Sequence, residues 1–137
     1  MFDKIKLYQT RFWLEEKTIK TIRESSSSFL LELFSKVNDL TDRDLVYYDN
    51  AMDMETCFEK YSFNEYKWNK TPNDDIEWIF MLNRQGYLVD LAMAYYITHE
   101  LKYFKKWKDI IFDFISINEE EYAHQESSWR ILDAGIR

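Results

Sequence analysis

Apolar residues recur at helical spacing through most of the chain, and turn residues interrupt them in few places. Phe2, Ile5, Tyr8, Phe12, Ile19 and Ile22 share one face over residues 2–24, with Lys and Glu on the other, which predicts a first amphipathic helix. Glu15 and Glu16 break its basic face, so the pattern favours packing on the rest of the domain over lying on a membrane. Four serines at 25–28 interrupt the periodicity. Ser28 suits the N-cap of a short second helix over 29–37, with Phe29, Leu30, Leu33, Phe34 and Val37 on one side. Residues 38–75 are the least regular part. Residues 38–42 read as a turn, 47–50 as a short strand or loop, and Thr71-Pro72-Asn73 as a breaker followed by helix caps. A loop-rich stretch of that length inside a compact domain carries function or lies against a neighbour.

A third long helix is predicted from residue 74 or 75 to 98, with acidic residues at its start to suit the helix dipole. Trp78, Leu82, Val89, Met93 and Tyr96 fall on one side, and Ile79, Phe80, Leu88, Leu91 and Tyr95 on others. A helix apolar nearly all round is expected to be buried among other helices. Gly86 in its middle costs roughly 1 kcal/mol relative to Ala, which predicts a close approach by another helix or a ligand. Thr98-His99-Glu100 reads as a short turn. A fourth helix follows over 101–117, with Tyr103, Trp107, Ile110, Phe114 and Ile117 inward and Lys102, Lys105, Lys106, Asp109 and Asp113 outward. Residues 118–127 read as an acidic loop. A last helix starts near Ser127, carries Trp129, Leu132 and Ile136 on one face, and runs to Arg137 without a cap, which predicts a chain cut short.

Composition sharpens the fold class. With 2 Gly and 1 Pro in 137 residues, the chain has too little punctuation for a turn-rich β fold, so one all-α domain is expected. Aromatic residues make up 18%, enough for a core of large rings and for flat platforms on the surface. A net charge of −7 disfavours nucleic acid as a partner and still allows an acidic ligand held by a few local cations. Cys57 is the single cysteine, so no intrachain disulfide forms. The N-terminus has no apolar core of signal-peptide length, and the longest apolar run, residues 91–97, is too short to span a membrane. As written, the chain is expected to be cytoplasmic, with no membrane partner.

Little in the chain carries chemistry by itself. There is no phosphate loop, no Cys/His metal spacing and no nucleophile elbow, so no catalytic residue, metal or cofactor is expected. His99 and His124 fall at predicted loops or helix ends and read as surface residues. Lys102, Lys105, Lys106 and Lys108 read as a solvated face. Arg130, Asp133 and Arg137 fall on one stripe at i, i+3 and i+7. They form either a surface ion-pair ladder or two guanidinium groups held by a carboxylate and aimed at an anion. Asn83 and Arg84 form a polar pair in an apolar helix, which implies either a buried hydrogen bond to a loop or a place on a cleft.

Trp68, Glu77-Trp78, Leu82-Asn83-Arg84, Leu91-Ala92-x-Ala94-Tyr95, Lys102-Tyr103, a helix end near Ile117-Asn118 and Trp129-Arg130-x-Leu132-Asp133-Ala134-Gly135-Ile136-Arg137 occur in an order that resembles the N-terminal helical domain of heparinase II/III-like polysaccharide lyases, alginate-lyase-like members included. The resemblance covers residues 61–137, and residues 1–60 match only as leader helices. It implies an incomplete (α/α) toroid of antiparallel helical hairpins and, in an intact protein, β-elimination on uronic-acid polysaccharides. The family's catalytic Asn, Tyr and His would follow Arg137, so the resemblance implies a piece that is inactive alone. It places Trp78, Asn83, Arg84, Trp129, Arg130 and Arg137 near the substrate cleft, implies an acidic polysaccharide as partner, and notes that many members are exported. Apolar faces that would meet later helices predict self-association. Two other readings stay open. One is a tetratricopeptide-like scaffold, for which a second copy at about 34 residues is missing. The other is a glycoside hydrolase toroid, for which no carboxylate pair stands out.

Overall fold

A computed structural model describes residues 16–25, 27–49 and 54–118. Its elements run α1 (Glu16–Ser25), α2 (Ser27–Asp42), β1 (Leu45–Val46), β2 (Tyr61–Ser62), a 3-10 turn (Pro72–Asp74), α3 (Ile76–Asn83), α4 (Gly86–Thr98) and α5 (Leu101–Asn118). The domain is mostly helical, as the scarcity of Gly and Pro predicts. The strands make one small antiparallel ladder, Leu45 opposite Ser62 and Val46 opposite Tyr61.

The second helix is longer than its apolar stripe. It continues to Asp42, and the expected turn at 38–42 is helical. Polar residues there take side-chain partners in place of nearby backbone. Asn38 Oδ1 accepts from Tyr103 Oη at 2.9 Å and from Lys102 Nζ at 2.9 Å. Asp39, buried, accepts from Lys60 at 2.6 Å and Arg43 at 3.2 Å. Leu40 is buried. Asn and Asp break helices by bonding to nearby backbone, and here those side chains are held elsewhere.

The predicted third helix is two helices. Gln85 adopts a left-handed conformation (φ 57°), and its N–H donates to Leu82 O at 3.1 Å, which ends α3 and starts α4. The break explains the apolar residues on several faces, since each half has its own buried set. α3 buries Trp78, Ile79, Phe80 and Leu82, whereas α4 buries Tyr87, Leu91, Ala94 and Ile97. Val89 and Tyr96 are exposed, contrary to the expectation of a helix buried all round. Gly86 meets no close neighbour either: a Cβ there would find nothing within 4 Å. The left-handed position falls on Gln85, one residue before it.

α4 and α5 form a hairpin through His99, which is left-handed (φ 61°) and donates its N–H to Tyr95 O at 2.7 Å. α5 follows the prediction closely, with Tyr103, Ile110 and Phe114 buried, but Ile117 is exposed. Its lysines are not one solvated face. Lys106 pairs with Asp44 at 3.2 Å and Lys102 with Asp42 at 3.1 Å, while Lys105 and Lys108 are exposed. Asp113 accepts from Trp68 Nε1 at 2.7 Å and from Lys67 at 3.0 Å, fastening the irregular segment to α5. α1 leans on α4, where Arg23 donates to Ile97 O.

Rings fill the centre, edge to face. Phe63 meets Trp68 and Tyr87, each with centroids at 5.7 Å, and Trp68 meets Phe114 at 4.8 Å. Such pairs add about 0.5–1.5 kcal/mol each beyond the area they bury. Among the described residues no helix is long and apolar enough to cross a membrane, and no group of three or more His, Cys, Asp or Glu could hold a metal ion.

Candidate functional site

A cavity of about 220 Å³ opens where α2, the segment after β1 and the α3–α4 turn meet. Val37, Leu40, Leu45 and Met81 give it an apolar wall; Lys36, Asp49, Arg84 and Asp90 bring charge, and Tyr47, Tyr48 and Tyr87 bring rings. Each wall has a local cause. The extended helix α2 presents Lys36 one turn after Glu32. The β1–β2 ladder holds Leu45 and Val46 in place. The left-handed turn at Gln85 separates α3 from α4, and Arg84 before it and Asp90 after it line one space.

The segment carrying Tyr48 is anchored from below. Tyr48 O accepts from Phe58 N at 2.7 Å and from Cys57 Sγ at 3.3 Å. That loop is tied to α3 through Thr56, whose N–H and hydroxyl both donate to Asp75 Oδ2, at 2.9 and 2.6 Å. The other oxygen of Asp75 caps α3 by accepting from Glu77 N at 3.1 Å. A single buried carboxylate therefore starts the helix that ends in Arg84 and holds the loop beneath Tyr48. Burial works against its charge, but the hydrogen bonds from Thr56 and Glu77 prevail and keep its pKa below the ordinary value.

The charges of the cavity are unequal. Lys36 lies 2.8 Å from both Asp49 and Glu32. Burial disfavours its ammonium, yet bonds to the two carboxylates outweigh this and raise its pKa. Asp49 is lowered by the Lys36 hydrogen bond. Asp90 goes the other way. Burial pushes its carboxyl up, and the positive charge of Lys36 does not fully compensate. Tyr48 is raised by burial, its hydroxyl sealed with no partner among the described residues.

Of the residues expected near a cleft, the structure brings one to this cavity. Arg84 lines it, with Nη1 directed to Met81 Sδ at 3.1 Å. Trp78 and Asn83 are both fully buried. Trp78 Nε1 donates to Tyr66 O at 2.9 Å, and its ring meets Tyr48 and Tyr61 edge to face. Asn83 Nδ2 donates to Trp68 O at 2.9 Å and Ile79 O at 2.8 Å. Trp78 Nε1 and Asn83 Nδ2 thus go to backbone carbonyls, and both side chains lie inside the domain. Trp129, Arg130 and Arg137 lie outside the described residues, as does His124. His99 is exposed and caps α4.

Lys36, Asp49 and Asp90 were not singled out in the sequence. Asp90 left a signal, being the one charged residue of α4. The family profile described as Heparinase II/III N-terminus matches residues 13–137, which takes in α1 and α2 as well as the later helices. No curated protein and no solved structure matches the chain.

Proposed function

The chain belongs to the heparinase II/III N-terminal family, and on that premise we propose that it forms the opening helices of a polysaccharide lyase toroid and supplies part of the surface that binds a uronic-acid chain. The α4–α5 hairpin is the kind of unit an (α/α) toroid repeats. β-Elimination needs a group to neutralise the uronate carboxylate, a base for the C5 proton and an acid for the leaving oxygen. The described residues offer binding groups for this task, and the acid and base are supplied from elsewhere in the intact protein. The binding role falls to Arg84, whose guanidinium can meet a carboxylate with two parallel bonds.

The observation that carries the reading, beside the family match, is that Arg84 and Lys36 line one cavity with an apolar wall. A uronate presents the complementary pair, a carboxylate and a C–H face. Affinity electrophoresis through gels containing polygalacturonate, alginate, heparin or a neutral glucan tests it. Retention by one or more acidic polymers and none by the glucan is expected, with Arg84→Ala weakening retention about tenfold or more, the scale of one charge-assisted contact. Equal mobility in all gels would sink it.

A further inference from the structure

We propose that the cavity takes a single sugar ring whose hydroxyls are read by Asp90 while its carboxylate faces Arg84. This rests on the uronate reading and narrows it to one residue of the chain and one new specificity determinant. Three observations support it.

The first is commitment. Lys36 and Asp49 are paired with each other at 2.8 Å, and Lys36 also with Glu32. Asp90 has no hydrogen bond or salt bridge to any of the described residues. A carboxyl group half withdrawn from water with no donor carries a desolvation penalty. Burial accordingly favours its neutral form. Ligand hydroxyls would supply the missing donors, and the two oxygens of one carboxylate suit two neighbouring hydroxyls of a sugar.

The second is charge balance. Arg84 and Lys36 line the same cavity as Asp49 and Asp90. An inorganic anion would gain from Arg84 and be repelled by Asp49 and Asp90. A cationic ligand would meet the reverse. A hexuronate separates its carboxylate from its hydroxyls across one ring, so it can satisfy both sides at once.

The third is size and texture. At about 220 Å³ the cavity is below the roughly 300–1,000 Å³ of sites for drug-sized ligands. Leu40 and Met81 provide an apolar wall for the C–H face of a ring.

Calorimetric titration of the full chain with glucuronate, and with acetate as a carboxylate lacking hydroxyls, tests the assignment. Wild type is expected to bind glucuronate more tightly than acetate. Asp90→Asn keeps the size of the side chain and removes one acceptor. It should weaken glucuronate about tenfold and leave acetate bound as tightly as in wild type or more tightly, because a repelling charge is removed, whereas a merely structural role would weaken both alike. Circular dichroism of the variant confirms that it is folded. Equal glucuronate affinity in wild type and Asp90→Asn would overturn the assignment. If the acidic polymers were still retained through Arg84, the uronate reading would survive that result; if they were not, both would fall.

Discussion

Asp75 makes the sharpest prediction about how the fold holds the candidate site. Replacing it with Ala removes the cap on α3, where it accepts from Glu77 N at 3.1 Å, and both Thr56 bonds at 2.9 and 2.6 Å. A lost N-cap costs about 1 kcal/mol. Hydrogen bonds to a charged acceptor are worth about 1.5–3 kcal/mol each, and the Thr56 N–H would be left buried without a partner. Allowing for non-additivity at one carboxylate, Asp75→Ala should lose about 3–5 kcal/mol, a large part of the 5–15 kcal/mol typical of a domain. Thr56→Val keeps the shape and the N–H bond, and should lose about 1–2 kcal/mol. The assay is urea denaturation, reading the midpoint with the slope unchanged. Because the carboxyl's pKa is held below its ordinary value, its contribution is present above the unfolded value near 3.9. It fades as pH falls through the lower, folded value. The gap between wild type and Asp75→Ala should therefore narrow in acid. A loss under about 1 kcal/mol at neutral pH, or a gap that does not change with pH, would refute this account of Asp75.

Asp90 should behave oppositely. Burial raises its pKa with Lys36, Glu32 and Asp49 as the charges acting on it, so its neutral form suits the fold. Stability should fall as pH rises through that titration, and Asp90→Asn should be more stable than wild type at neutral pH by thermal melting. Asn83→Ala leaves the Trp68 and Ile79 carbonyls without its amide and should cost about 2–4 kcal/mol in denaturant; a loss below 1 kcal/mol would contradict its buried role. Asp113→Ala releases Trp68 Nε1 and Lys67 and should cost about 2 kcal/mol, with a red shift in tryptophan emission as its check. Leu101, Phe112 and Ile115 are exposed on α5, Leu101 at 70% and Phe112 at 62%. Sedimentation velocity should show concentration-dependent association that Phe112→Glu reduces, and a monomer at every concentration would count against it.

What could be read from the sequence was what depends on local periodicity. The course of α5 follows from Tyr103, Ile110 and Phe114 at helical spacing, and the hairpin turn from Thr98-His99-Glu100. The end of α2 was hidden because Asn38, Asp39 and Asp42 look like turn formers until Lys102, Tyr103 and Lys60 occupy them. The break between α3 and α4 was hidden because the left-handed residue is Gln85, while the conspicuous Gly86 beside it has ordinary geometry. For the site, Arg84 stood out as polar within an apolar stretch. Asn83 stood out for the same reason and is internal, as is Trp78, which only the resemblance had placed near a cleft, since spacing does not tell a cleft from a buried hydrogen bond. Lys36, Asp49 and Asp90 come from three elements, and their meeting depends on the β1–β2 ladder and the Asp75–Thr56 tie, neither of which has a local pattern.

The most direct test of the proposed function is the affinity of the chain for an acidic polyuronate as salt is raised, with Arg84→Ala measured beside it. A carboxylate held by Arg84 predicts binding at low salt that weakens as the Debye length shortens from about 10 Å at 0.1 M to 3 Å at 1 M, and much weaker binding by Arg84→Ala throughout. Binding that ignores both salt and Arg84, or that is equal for a neutral glucan, would contradict it.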